Sequence, residues 1–555
     1  MRRFFIQLIE TEPQLALIAE EKSPARISLR GVSAINCSDM EVIMKKGRKL
    51  LAGVLALVMS SCSVFGNSTI ANNTVETADN VSTQRPDDKW ENKATIAQAG
   101  KYKELNYSFL KDYNFLATTD SAIMETFDSV EELKNSTDKR LLKGAYVMVR
   151  GYYEPDDGGA CLYLIKGKNE KQISVELANG LFAEPIPTTT KIGDENYVAL
   201  SIKQFGAKGD GINSDNAGFN NTVLFAENYM QANKDTVDRA IIYIPEGEYK
   251  CTDQLVVGHD KTLYLPMGAS NLSIVGEGDK SVFFTDNDYR KDYGYSEHFF
   301  QTWRGYNVYY ANFRVEAREV DLYHYMRQFT MTYCDNVYVD NVDLIVPEEA
   351  WSGYYYQDKQ YSNLCCYCGN KNITVDGCYF EQMSGTYRGA NVGVLDIWSH
   401  GEENITIMNC ELVGNARDEQ IGFFSTSKET AYVKNVDFIN NTIRSYSPKY
   451  VDVVKNATMR FTIAYNDSVG VEDIHIAGNH FISECDSKFM TFGNVKNCLI
   501  EDNIMELYCS YSTWSMIFDT SCTNEDGVIC KNNEFFISSY SNHGKGSIVG
   551  GGGQM

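Results

Sequence analysis

From Asn271 to the C-terminus one short hydrophobic-polar phrase recurs along the chain. Its copies read NLSIVG, NVYYANFRV, NVYVDNVDL, NITVDGCYF, NITIMNCEL, NVDFINNTI, DIHIAGNHF, NCLIEDNIM and GVICKNNEF. They begin at Asn271, Asn307, Asn336, Asn372, Asn404, Asn435, Asp473, Asn497 and Gly527, at intervals of 36, 29, 36, 32, 31, 38, 24 and 30 residues. With the first residue as position 0, positions 1 and 3 are apolar or aromatic in every copy, as in Val337/Val339 and Ile405/Ile407. That alternation predicts a strand with one buried face. Position 5 is Asn, Asp or Gly throughout, which predicts a sharp bend. Position 8 is large and apolar in eight of the nine copies, from Val315 to Phe535, and returns the chain to the interior.

One phrase therefore predicts two short strands joined by a bend. The 15–29 residues left in each interval hold a third strand, such as VGVLDIW or MRFTIAY, and a variable loop. Three strands per turn of about 30 residues describe the coil of a parallel β-helix. Position 6 adds Cys378 and Cys410 in consecutive copies and Asn441, Asn479, Asn503 and Asn533 in the last four. Like residues in one register predict ladders, with the Asn amides bonding from coil to coil and the two cysteines as interior filler.

Upstream, DNAGFNNTVLFAENYMQA carries apolar residues at helical spacing and predicts a helix that closes the exposed N-terminal end of the stack. AIIYIPEGEYKC, Ala240–Cys251, is expected to be the first full coil. Residues 120–195 predict a small β-rich module, with a short helix at Ser129–Lys134, strands at Ala145–Arg150 and Ala160–Ile165, and the turn EPDDGG between the strands. Residues 63–119 are read as a flexible tether, on the Asn/Ser/Thr-rich composition of 63–96.

Composition changes the picture at two points. The formal net charge of −23 repels phosphate backbones and argues against a nucleic-acid partner. It also disfavours a polyanionic glycan unless Ca²⁺ or a local basic patch intervenes. The second point is an address. MKKGRKLLAGVLALVMSSC, Met44–Cys62, has a basic head and an uncharged run too short to span a bilayer, as in a signal peptide. It resembles a lipoprotein box, so Cys62 is expected to be lipidated and the protein to sit at the cell surface. Secretion after ordinary cleavage is the alternative. Residues 1–43 are read as a mis-annotated leader, because the codons for Met40–Val42 contain a ribosome-binding core just ahead of Met44.

SIKQFGAKGDGINSDN, Ser201–Asn216, followed by AIIYIPEGEYKCTDQLVV, resembles the opening of the pectate-lyase-like superfamily, which includes polygalacturonases, rhamnogalacturonases and many phage tailspikes. The module ahead of it resembles the one that precedes this β-helix in phage and bacterial surface proteins. The resemblance implies an all-β, right-handed, single-stranded parallel β-helix over residues 196–555 with an N-terminal helix cap. It also implies polysaccharide as substrate, while the C-terminal GKGSIVGGGGQM shows no clear cap, which leaves a homotrimer or a truncated gene as the two expectations there. No cofactor is implied, with Ca²⁺ the one open option. The usual Asp-Gly-x-x-Asp-Asp-Thr reads Asp210-Gly211-Ile212-Asn213-Ser214-Asp215-Asn216 here. No Gly-Lys-Ser/Thr follows the glycines, which excludes a phosphate loop.

Outer-face residues of stacked coils lie about 4.8 Å apart, so acids remote in sequence meet without a local motif. Asp396 falls in one coil and Asp418-Glu419 one coil later. This is similar to the polygalacturonase layout, which implies Asp418 as general acid and Asp396 and Glu419 as holders of the attacking water. The family's Asn-Thr-Asp reads Val394-Leu395-Asp396, and its Gly-His-Gly and Arg-Ile-Lys motifs do not follow. Galacturonate specificity is therefore not carried over. Arg388, Arg417, Lys428 and His400 form the alternative, an arginine-based lyase site. Trp398 and Tyr355 are candidates for stacking on sugar rings. Cys365, Cys366 and Cys368 lack a fourth metal ligand nearby and read as buried thiols or a disulfide. Two functions remain: an exported polysaccharide hydrolase, or a non-catalytic surface binder or adhesin of tailspike type.

Overall fold

The computed structural model describes residues 95–168, 173–258, 270–286, 289, 298–319, 326–347, 359–383, 390–398, 401–414, 421–424, 432–446, 461–463, 471–483, 490–492, 495–509, 514–520, 528–539 and 545–550. They belong to one compact unit, Pro86–Met555. The leader 1–43, the signal segment and Cys62 lie outside the described residues.

The repeated phrase folds as three rows of parallel strands, here rows A, B and C, over ten coils. Coil 1 is Arg239–Tyr243, Gly247–Lys250 and Leu255–Val257; coil 10 is Val528–Lys531, Glu534–Ser539 and Lys545–Gly550. Each row pairs in parallel with its copy in the next coil, as Ile373 with Ile405 in row A and Phe380 with Leu412 in row B. Positions 1, 3 and 8 of the phrase point into one continuous apolar core. In coils 3 and 4 rows A and B run on as single long strands, Tyr306–Ala317 and Asp335–Val346.

Two backbone devices turn the coil. Position 0 is left-handed in eight of the nine copies, with φ between 51° and 61° from Asn271 to Asn497. Position 5 is left-handed in most copies, including Asn312, Asn341, Asn409, Asn440, Asp502 and Asn532. Asn and Asp tolerate this region better than other residues with a Cβ, which is why the phrase is written with them. The position 0 amides bond between coils, Asn404 Nδ2 to Asn372 Oδ1 at 2.9 Å and Asn435 Nδ2 to Asn404 Oδ1 at 2.7 Å. At position 6 the expected ladder forms: Asn441, Asn479, Asn503 and Asn533 bond in sequence at 3.0, 3.0 and 2.8 Å. Each also caps the bend below it. Asn479, for example, accepts from Asn441 N at 2.8 Å and donates to Phe438 O at 2.8 Å. Cys378 and Cys410 fill the same column two coils earlier, both buried and free.

The N-terminal end is closed by helix α2, Asn216–Ala232, whose Phe219, Val223, Phe225, Ala226 and Met230 enter the core. The glycine-rich stretch before it is the hinge into this cap. Ser201 and Gln204 form a capping box around a short 3₁₀ turn, and Gly206 ends the turn in a left-handed conformation at φ 95°. Gly218 packs against Ala207 so closely that a Cβ would lie 2.3 Å from the Ala207 nitrogen.

Ahead of the coils, helix α1 (Val130–Asn135) is capped by Ser129, whose side chain accepts from Glu132 N at 3.2 Å. Tyr146–Val149 and Cys161–Lys166 pair as the expected antiparallel hairpin within a five-stranded sheet. Asp157 holds its turn by accepting from Tyr153 N and Gly159 N, each at 2.7 Å.

One expectation needs correction. Composition predicts a tether over residues 63–119, yet from Thr95 the chain packs along the outer face of row A. Thr406 Oγ1 donates to Thr95 O at 3.1 Å in coil 6, and Phe115 stacks on Tyr243 at 5.5 Å in coil 1. This strap contains two 3₁₀ segments, Gln98–Glu104 and Tyr107–Asp112, and buries Tyr102, Tyr107 and Leu110 against Tyr197, Ile241 and Tyr309. Buried Arg239 fastens it. Its guanidinium lies 3.4 Å from the Tyr102 ring and donates to Ser273 Oγ, Leu272 O and Asn307 O. Burial lowers the Arg239 pKa to about 10, so it stays charged at neutral pH. The strap has neither strand nor helix periodicity, and its apolar content is mostly Tyr and Phe. A periodicity search passes over such a segment.

Candidate functional site

Row C positions the candidate site, and its register sets which residues lie side by side. Coils 2 to 6 contribute His298–Trp303, Met326–Thr332, Lys359–Tyr367, Ala390–Trp398 and Ile421–Phe424. Leu364 and Leu395 pair and are buried in the core, as are Cys366 and Ile397. The residues between them belong to the opposite face by strand alternation.

Asp396 therefore occupies the column Gln301, Thr330, Cys365, Asp396, Gly422. On the coil 6 side its neighbour is a glycine, which leaves that position without a side chain. The other neighbours are polar or small, and His298 Nδ1 bonds Thr330 Oγ1 at 3.0 Å beside the column.

Asp418 and Glu419 lie outside the described residues, between Gly414, which ends row B of coil 6, and Ile421, which opens row C. Ile421 pairs with Leu395, the residue before Asp396. Arg388, His400, Arg417, Lys428 and Tyr355 also lie outside the described residues. Trp398 is described as a strand position, the last of row C in coil 5.

The remaining sequence candidates resolve as structure. Cys365, Cys366 and Cys368 are all buried. Burial pushes the Cys366 thiol well up from its ordinary value, which keeps it protonated and unreactive at neutral pH. Among the described residues no group of His, Cys, Asp and Glu is arranged to hold a metal ion. The glycine-rich loop does not fit a calcium cage. Asp210 Oδ1 accepts from Ile212 N at 2.9 Å and Asn213 N at 2.8 Å, and Asp215 Oδ1 accepts from Lys208 N at 2.5 Å. Both carboxylates hold their own loop. Burial raises the Asp215 pKa to about 6, with Asp210 adding to the rise.

A second perturbed acid went unnoticed in the sequence. Glu402, fully buried where coil 6 enters row A, accepts from Gly369 N at 2.7 Å and Asn370 N at 3.2 Å. Desolvation pushes its pKa up to about 8, against which those hydrogen bonds pull. Its surroundings are interior, so it is a structural acid.

Residues 199–442 match the family model described as rhamnogalacturonase A/epimerase, pectate lyase-like. No curated protein matches the chain. Among solved structures, tailspike protein 2 from Escherichia coli O157:H7 bacteriophage CBA120 is similar at 10% identity and a TM-score of 0.39, over 75% of this chain and 51% of that one. The chain thus spans about half the length of that tailspike. Tailspike gp49 of Acinetobacter baumannii bacteriophage Fri1, a capsular polysaccharide depolymerase, is similar at 11% identity and a TM-score of 0.37, over 75% of both chains. PfbA, a surface adhesin of Streptococcus pneumoniae, is similar at 12% identity and a TM-score of 0.30, over 63% of this chain and 93% of that one. Coil register and helix cap agree with the family match: over residues 199–442 the β-helix is similar to the pectate-lyase-like family model.

Proposed function

We propose that the protein is an exported, surface-held β-helix hydrolase that cleaves polysaccharide with carboxylates drawn from adjacent coils. Asp418 protonates the leaving glycosidic oxygen, and Asp396 and Glu419 hold and activate the attacking water. The observation that supports the reading is the row C register. Asp396 has Gly422 as its coil 6 neighbour, and Ile421, two residues after Glu419, pairs with Leu395. Two carboxyl groups about 6.5–9.5 Å apart leave room for a water between one of them and the sugar, which gives inversion at the anomeric carbon. Carboxylates crowded in this way raise one another's pKa, and the raised one serves as the acid. The reaction needs no metal. Lipidation at Cys62 would hold the enzyme at the cell surface, and a trimer would be assembled as in tailspikes.

The test incubates the protein with plant and bacterial polysaccharides and follows new reducing ends. Asp418→Asn should lower the rate by about 10²–10⁴-fold, the usual worth of a general acid, while glycan binding persists. Unsaturated product ends would instead identify the lyase reading through Arg388 and Arg417. Binding without any product would identify the adhesin reading.

A further inference from the structure

The strap climbs row A in equal steps. Ala99 N donates to Asn336 Oδ1 at 2.8 Å in coil 4, and Ala97 N to Thr374 Oγ1 at 2.9 Å in coil 5. Thr95 O accepts from Thr406 Oγ1 at 3.1 Å in coil 6, and Asn435 Nδ2 of coil 7 donates to Thr95 Oγ1 at 3.2 Å. One coil thus takes two residues, and every second side chain turns to the row: Ala97 and Ala99 are buried, Ile96 and Gln98 exposed. Beneath the strap runs position 2 of the phrase. Over coils 5 to 10 this column reads Thr374, Thr406, Asp437, His475, Leu499 and Ile529. Its neighbours at positions 1 and 3 enter the core, so the column faces outward. Thr374 and Thr406 are fully buried under the strap. Asp437, His475 and Leu499 are only 6, 1 and 1% exposed, although Thr95 is the first described residue of the strap and coils 8 and 9 lie beyond it. An outward leucine this buried has a cover. The same face is charged. His475 Nδ1 bonds Asp437 Oδ1 at 3.2 Å, its Nε2 bonds Glu501 Oε1 at 3.0 Å, and Lys531 Nζ pairs with Glu501 at 2.9 Å.

We infer that residues 86–94, PDDKWENKA, continue the strap across the outer face of row A from coil 7 to coil 10. Three observations choose this occupant. The first is continuity: the segment joins the strap at Thr95 and belongs to the same compact unit, Pro86–Met555. The second is reach. Nine extended residues span about 30 Å, and the three rises from coil 7 to coil 10 need about 14 Å. The third is charge. At two residues per coil, Lys93 falls at coil 7, Glu91 at coil 8, Lys89 at coil 9 and Asp87 at coil 10. The charged groups of the face in the same order are Asp437, His475, Glu501 and Lys531. With His475 as the cation between its two carboxylates, each step meets the opposite sign. A shift of one residue would set Asn92, Trp90 and Asp88 on coils 7 to 9 and lose the match. Complementary charge of this kind fixes register more than it adds affinity. The strap then fastens all ten coils in one pass.

The experiment follows hydrogen exchange by mass spectrometry in the full chain at neutral pH, in wild type, Lys89→Glu/Lys93→Glu, Lys89→Arg/Lys93→Arg and Trp90→Ala. In wild type the amides of 86–94 should exchange at least about tenfold more slowly than those of 63–85, as held segments do. The glutamate variant should abolish that protection. It should also speed exchange of the row A strands Val471–Ala477 and Val495–Glu501 by about tenfold, while Arg239–Tyr243 and Ser270–Val275 exchange as in wild type. The arginine variant, which keeps both charges, should match wild type. Trp90→Ala should match it too, because alternate residues turn away from the row. Exchange of 86–94 as fast as that of 63–85 overturns the inference. So does protection that appears only as protein concentration rises, since a second copy is then the occupant. Protection that survives the glutamate variant, or that is lost in Trp90→Ala, overturns the charge register.

Discussion

A single amide shows how tightly each coil is specified. Asn479 satisfies the backbone N–H of Asn441 and the carbonyl of Phe438 and receives the next amide in the column, all with 1% of its surface exposed. Removing it leaves buried donors and acceptors unpaired, each costing about 1–3 kcal/mol. Asn479→Ala should therefore lower stability by about 2–4 kcal/mol in urea denaturation with m unchanged; a loss under 0.5 kcal/mol would show the column to be ornamental. Glu402 makes a second prediction. Its folded pKa is raised to about 8, above the ordinary carboxylate value, because burial disfavours the charge. Its contribution to stability is complete below pH about 4.5 and is lost as pH rises through 8. Melting temperature should fall between pH about 4.5 and 8 in wild type and level off above that. Glu402→Gln, which cannot ionise, should flatten that slope; an unchanged slope would place the alkaline sensitivity elsewhere.

Among elements, the strap departs furthest from the sequence reading. The coils announce themselves because a bend at position 5 and burial at 1, 3 and 8 must be repeated in every turn. The strap is a single pass over the outside, so it has no repeat, and its polar contacts are long-range. Ala97 N donates to Thr374 Oγ1 at 2.9 Å and Ala99 N to Asn336 Oδ1 at 2.8 Å, partners 277 and 237 residues away. Asn336 still donates to Asn307 Oδ1 at 3.1 Å, but its own Oδ1 is taken by the strap, and Asn372 Nδ2 donates to Asp335 Oδ1 at 2.7 Å instead. Position 0 was legible as a conserved letter of the phrase, but its left-handed geometry was not, since Asn serves in bends of several kinds. Lys103 adds an ion pair to Asp376 at 2.6 Å, beside the Tyr338 hydroxyl that donates to the same oxygen. Tyr102→Ala should release the strap from Arg239 and cost about 3 kcal/mol or more, as aromatic truncations in packed sites do. Trypsin cleavage after Lys101 and Lys103 should then be at least about tenfold faster than in wild type. Equal rates in the two proteins would show that the strap is held by other contacts.

For the whole molecule, the sequence disclosed the coil stack, its helix cap and the position of Asp396, because each follows from a period or from an apolar spacing. The row C register was not legible, because successive row C strands are separated by intervals of unequal length that only strand pairing aligns, as Tyr367 with Trp398 and Trp398 with Phe424. Asp418 and Glu419 lie outside the described residues, so their relation to Asp396 stays with the proposal. Among the described residues no helix is long and apolar enough to cross a membrane. The account as a whole depends on stacked coils setting remote acids around one glycosidic bond. A crystal structure of Asp418→Asn with a bound oligosaccharide tests that directly. It should show the glycan along row C, with Asp396 and residue 418 on opposite sides of one bond and about 6.5–9.5 Å apart. A glycan bound on row A or B, or acids that do not flank any bond of the chain on row C, would contradict it.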